Sequence, residues 1–112
     1  MTYKEQLRSP KWQRLQSEIR ERDNYKCQLC GATDSFLHVH HLYYSPGAKV
    51  WEYDMESLVT LCEDCHKAAH TSLPKIISLM SMMLIKDGTC LFDIEIALRK
   101  MLNLPTSEKI PF

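Results

Sequence analysis

Four cysteines and four histidines fall on one skeleton: Cys27-x-x-Cys30, then His40-His41, then Cys62-x-x-Cys65-His66-x-x-x-His70. Thiolates and imidazoles are the side chains that hold zinc and related cations. The chain therefore offers two donor sets, one of sulfur and one of nitrogen. Each Cys-x-x-Cys knuckle presents two sulfurs on one side, and two such knuckles close a tetrahedron around a structural Zn²⁺. Thioredoxin-like exchange would need a strand-helix-strand setting that the sequence does not offer. Reading Cys62-Glu63-Asp64-Cys65-His66 as a c-type haem attachment leaves Cys27, Cys30 and the paired histidines without a purpose. Cys90 lies in an apolar context and reads as core packing.

The histidines read differently. His66 and His70 are four apart on a predicted helix, so their rings share a face and can grip one ion together. His40 and His41 lie toward the end of a predicted strand, where neighbours point to opposite faces. Both reach one site only if the backbone twists or bulges there. His38 reads as a structural residue. Imidazole is also the side chain that accepts a proton near neutral pH. The bland alternative makes His66 or His70 a substitute zinc ligand, leaving a binding module without catalysis.

The elements that must position these residues are legible in outline, and they give an α+β fold. Ser9-Pro10 is an N-cap followed by proline at the first helical position. Trp12, Leu15 and Ile19 recur at helical spacing, predicting a helix over 10–22 that ends at Asp23-Asn24. Cys27 to Gly31 is a tight knuckle in which Gly31 frees the backbone to turn. Residues 36–44 read as a strand, and 45–56 as an irregular loop containing Trp51 and Tyr53. Residues 58–61 predict a second strand and 63–71 a helix with Asp64 near its positive end. Two further helices are expected over 73–86 and 91–103, separated by Asp87-Gly88-Thr89, with a loose tail over 104–112. The expected organisation is a domain over 1–72 and a helical extension over 73–112. That extension carries apolar stripes for packing or dimerisation: Ile76, Ile77, Met80, Met83 and Leu84, then Leu91, Ile94, Leu98, Met101 and Leu102.

Composition bounds the setting. At 112 residues, with 45% apolar and 25% charged content, the chain is an ordinary small globular protein whose limited core would gain from a structural metal. Its polar start and the lack of an apolar run of about 18 residues imply a cytoplasmic protein with no membrane partner. Clustered cysteines in a reducing compartment bind metal more often than they form disulfides. Net charge is zero, yet residues 1–26 are locally basic, so Lys11, Arg14 and Arg22, with Lys67 on the later helix, are candidate phosphate contacts.

With that skeleton laid out, the chain resembles an HNH endonuclease of the kind in which four cysteines brace a ββα-metal motif. The resemblance covers roughly Trp12 to Thr71. It rests on Arg22-Asp23-Asn24-Tyr25-Lys26-Cys27-Gln28-Leu29-Cys30-Gly31, on Val39-His40-His41-Leu42 as the first motif strand, and on Leu58-Val59-Thr60-Leu61-Cys62 as the second. Cys65-His66-Lys67-Ala68-Ala69-His70 stands as the motif helix. The resemblance implies His41 as general base, with His40, His66 and His70 as ligands of a catalytic divalent ion (Mg²⁺, Mn²⁺, Ni²⁺ or Zn²⁺). It implies Ser57 in the place of the asparagine that braces the base. Serine offers one donor and a shorter reach where asparagine offers two donors. The implied activity is phosphodiester hydrolysis of DNA leaving 5′-phosphate and 3′-hydroxyl ends, by a phage or bacterial nuclease. Such a protein would act as monomer or homodimer, or within a larger phage or restriction assembly. The rival expectation is a degenerate HNH module that binds DNA or protein without cutting.

Overall fold

The structure is a computed structural model that describes residues 1–105. In chain order it holds α1 (Tyr3–Leu7), α2 (Pro10–Arg22), β1 (Leu37–His41), a short 3₁₀ turn (Met55–Ser57), β2 (Leu58–Cys62), α3 (Glu63–Lys86) and α4 (Leu91–Met101). The class is α+β. Two antiparallel strands lead straight into a helix, giving the ββα order. The described residues fall into two compact units that part within α3, one from Met1 to Ala69 and one from His70 onward.

Local chemistry accounts for the first unit's elements. Ser9 caps α2, its Oγ accepting from the Lys11 amide at 3.3 Å, and Pro10 takes the first helical position. At the other end Asn24 adopts φ 57°. The amides of Tyr25 and Asn24 turn back onto the Arg20 and Glu21 carbonyls, a Schellman close in which asparagine tolerates the left-handed position. Trp12 and Ile19 are fully covered and meet Val39, Val50 and Leu58, with Leu7, Leu15, Trp51 and Tyr53 packed around them. A second cluster of Cys27, Leu37, Leu61 and Cys62 lies at the knuckles.

The hairpin pairs Leu37 with Cys62 through to His41 with Leu58 in unbroken register. β2 has a second edge to satisfy, because its polar backbone groups there need partners. The Thr60 amide donates to Asp23 Oδ2 at 2.9 Å, and the Thr60 carbonyl accepts from the Gln28 amide at 3.0 Å. The end of α2 and the first knuckle are thus sewn onto the strand.

Three expectations change. The five-residue helix α1 adds to the expected elements, being too short to show apolar periodicity. β1 covers Leu37–His41, shorter than the 36–44 run of suitable residues, because only that stretch finds a partner across the hairpin. The helices expected over 63–71 and 73–86 are one continuous α3 containing Pro74. Interior proline costs about 3 kcal/mol, and the helix continues through it nonetheless.

In the second unit, Gly88 at φ 70° closes α3 and Asn103 at φ 57° closes α4 with the same Schellman pattern as α2. Arg99 is buried, donating to Glu95 at 2.9 Å and to the Pro105 carbonyl at 2.7 Å. No residue of α3 is buried, and Ile77, Met80 and Met83, with Leu91 and Leu98 of α4, are exposed. By length and composition alone α3 is long and apolar enough to cross a bilayer. Its first turns, however, carry Cys65, His66 and His70. The stretch beyond them would reach only about 24 Å, short of the ~30 Å apolar core. The loose tail expected over 104–112 lies, past residue 105, outside the described residues.

Candidate functional site

The knuckles converge as their spacing demands. The ligand sulfurs of Cys27, Cys30, Cys62 and Cys65 all lie within 4.8 Å of one another, with Cys30 Sγ and Cys62 Sγ at 3.6 Å. Sulfurs about 2.3 Å from a zinc ion sit about 3.8 Å apart, so the cluster fits a tetrahedral Cys₄ zinc. The Cys30 amide donates to Cys27 Sγ at 3.5 Å and the Cys65 amide to Cys62 Sγ at 3.4 Å. Such donors favour charge on sulfur, and Cys62 at the same time caps the positive end of α3. Burial pushes the Cys27 thiol up, but amide donors led by Cys30 outweigh it and bring it down to about 6. Gly31, at φ 81°, supplies the left-handed turn that lets the first knuckle close.

A second cluster stands on the hairpin face that meets α3. Ligand nitrogens of His40, His66 and His70 all lie within 4.8 Å of one another. His66 and His70 are one turn apart on α3, and His40 reaches them from β1, its ring meeting His66 edge-on at 5.3 Å. Three imidazoles of graded exposure, from buried to open, suit a divalent cation that keeps positions for other ligands. His38, expected to be merely structural, shares the face of His40 and stacks on His66 at 4.6 Å. Phe36 in turn meets His38 edge-on at 4.9 Å, and the Arg20 guanidinium lies over Phe36.

His41 leaves β1 on the opposite face, so no bulge brings the two neighbours together. It is 4% exposed and stacks on Trp12 at 5.1 Å and Tyr44 at 5.2 Å, with Tyr53 edge-on at 4.7 Å. Its Nε2 lies 3.0 Å from the Val50 carbonyl. A carbonyl only accepts, so Nε2 carries the proton and Nδ1 keeps its lone pair. Burial pushes the imidazole below its ordinary value, and the Val50 bond opposes this only in part. His41 is therefore neutral and held in one tautomer.

Ser57 is buried, and its hydroxyl donates to the Asp54 carbonyl at 2.6 Å, closing its own turn. Its carbonyl accepts from the Leu42 amide at 2.8 Å, one step past the ladder. The orienting contact expected from position 57 comes instead from the backbone of Val50. No sequence signal marks a carbonyl, although the aromatic loop around it was visible.

The candidate phosphate contacts separate. Lys11 lies over the Trp51 ring at 5.6 Å and Arg14 is exposed. Lys67 is exposed beside Glu63 at 3.8 Å. Arg22 is turned inward. Its guanidinium donates to both Asp23 oxygens, to the Met55 carbonyl at 2.6 Å and to the Leu58 carbonyl at 2.7 Å. It serves to tie α2 to β2, because a planar fork of five donors satisfies several acceptors at once.

Comparison with known proteins agrees with this geometry. Residues 27–72 match the family model described as HNH endonuclease. The chain is 40% identical over 60 residues to Zorya protein ZorE of Escherichia coli, a match covering 50% of this chain and 15% of that protein. It is 31% identical over 72 residues to anaredoxin of Nostoc sp., covering 63% of this chain and 91% of that protein. The chain thus spans a small part of the first relative and most of the second. No solved structure matches it. The two knuckles, the imidazoles on α3 and the hairpin between them occupy the matched segment, and the chain belongs to the HNH endonuclease family.

Proposed function

We propose that this protein is a metal-dependent DNA endonuclease that hydrolyses one phosphodiester bond per active site. The observation that carries the reading is the division of labour across β1, where His40 joins His66 and His70 on one face while His41 is held neutral on the other. In-line displacement at phosphorus places the attacking water and the leaving oxygen on opposite sides. A strand's alternation gives a base and a cation site on opposite faces of one peptide. His41 takes the proton of the attacking water at Nδ1, its Nε2–H remaining on the Val50 carbonyl. Stacking on Trp12 and Tyr44 restricts its rotation, so its orientation is set before substrate arrives. A divalent ion held by His40, His66 and His70 would supply Lewis-acid stabilisation of the phosphorane and of the leaving 3′-oxygen. The Cys₄ site ties the first knuckle to the end of β2 and the start of α3, and the exposed Lys11, Arg14 and Lys67 are the basic side chains proposed to meet the DNA backbone.

Purified protein is incubated with supercoiled plasmid and Mg²⁺, Mn²⁺, Ni²⁺ or Zn²⁺. Nicked or linear products with 5′-phosphate and 3′-hydroxyl ends, abolished by a chelator that spares the tightly held zinc, are the expected outcome. A second reading, a zinc-braced binding module that no longer cuts, is favoured by the Ser57 hydroxyl being spent on Asp54 and by the burial of His41. DNA binding with no cleavage under any of the four metals would establish it in place of the first.

A further inference from the structure

We propose that Gln6, on the short helix α1, is a positioning residue for His41, acting through the backbone of Val50. The inference rests on the reading of His41 as the base and adds a residue far from the motif.

Val50 is held at both ends of its backbone. Its N–H donates to Gln6 Oε1 at 3.0 Å, and its carbonyl accepts from His41 Nε2 at 3.0 Å. Val50 itself is 4% exposed, so its amide has little water to fall back on. Because an amide N–H only donates, the Gln6 atom facing it is the oxygen, and the orientation of that side chain is fixed by chemistry. Neighbouring turns hold the rest of the loop. The Lys49 amide donates to Glu52 Oε1 at 2.8 Å, the Glu52 amide to the Lys49 carbonyl at 2.8 Å, and the Ser45 amide to the Tyr53 hydroxyl at 2.8 Å. The Lys49 carbonyl shares its peptide plane with the Val50 N–H, so Gln6 and Glu52 hold that plane together, while the next plane carries the carbonyl that meets His41.

α1 is itself anchored so that it can do this. The Ser9 amide donates to the Gln6 carbonyl at 3.1 Å, Gln13 Nε2 donates to the Leu7 carbonyl at 2.9 Å, and Leu7 packs against the Trp12 cluster. A side chain at position 6 thereby reaches a loop near position 50 and fixes a carbonyl that selects the tautomer of His41. Without the Gln6 oxygen, a buried N–H is left seeking an acceptor. The Lys49–Val50 plane then turns to find one, and through the shared Val50 Cα it shifts the adjoining plane that carries the carbonyl. Catalytic constellations tolerate about 0.5 Å of such drift.

The test compares Gln6→Leu, which keeps the bulk and removes the acceptor, with Gln6→Glu, which restores an oxygen. Three readouts are taken on the full chain: plasmid cleavage, metal content, and the His41 tautomer by long-range ¹⁵N–¹H NMR. Gln6→Leu is expected to lower kcat on the order of 10-fold to 100-fold, with KM and bound zinc little changed and the thermal midpoint lowered by only a few degrees. The His41 spectrum should pass from a single Nε2–H form to a mixture, and Gln6→Glu should recover both the rate and the single form. Gln6→Leu with wild-type kcat and an unchanged His41 spectrum would overturn the proposal, as would Gln6→Glu behaving like Gln6→Leu. If the wild-type protein cuts no plasmid, the nuclease reading falls, while the NMR comparison still decides whether Gln6 orients His41.

Discussion

His40 and His41 are neighbours in β1, yet their rings meet different parts of the molecule. His40 faces His66 of α3 at 5.3 Å, and His41 faces Trp12 of α2 at 5.1 Å. The unbroken pairing of β1 with β2 makes this a consequence of strand geometry rather than of a local distortion. The proposed cation site and the proposed base are thereby separated by one peptide unit.

Replacing the proposed base, His41, should remove turnover and spare the scaffold. His41→Ala is expected to lower plasmid cleavage by about 10²-fold to 10⁴-fold, while metal analysis still finds one tightly held zinc per chain. Loss of that zinc together with activity would assign His41 to the fold instead.

The two donor sets should fail differently. Cys62→Ser removes a sulfur that both closes the tetrahedron and caps α3, so the first unit should lose its zinc and its cooperative thermal transition. His66→Ala should keep zinc and the transition, and lose only an exchangeable ion measured by titration with Ni²⁺ or Co²⁺. Equal loss of zinc in both variants would collapse the two sites into one.

His38 stacks on His66 without belonging to its ligand cluster. His38→Ala should weaken the exchangeable ion by about tenfold, the lower end of what supporting residues contribute to metal sites. His38→Phe, which keeps a flat ring against His66, should recover most of that affinity. A cobalt-loaded protein whose visible spectrum ignores both substitutions would show that the stack is idle.

Asp23 gives a pH dependence whose sign is fixed. Burial alone would raise its carboxyl, but bonds from Arg22 and Thr60 outweigh this and hold it below the usual 3.8. A native pKa below the unfolded one contributes stability that is present above about pH 4 and is lost as pH falls through the native value. Asp23→Asn should therefore cost about 1–3 kcal/mol near neutral pH, measured by urea denaturation. The gap between variant and wild type should shrink as the medium is acidified below pH 4. A gap that stays constant into acid would mean that the carboxylate's charge plays no part.

Much of the fold was legible because its causes are local. Ser9-Pro10 caps α2 where it should, the Cys-x-x-Cys spacing forms knuckles wherever the chain runs, and one helical turn separates His66 from His70. Other features depend on partners far along the chain, and these only the tertiary structure decided. Arg22 reads as a basic surface residue until Met55 and Leu58 present carbonyls to it. The orienting partner of His41 is a backbone carbonyl, braced in turn by Gln6 across the domain. Residue types and short spacings specify which atoms can bond. Which of them do is settled by long-range packing, because the face a strand turns toward each neighbour exists only once the chain has closed on itself.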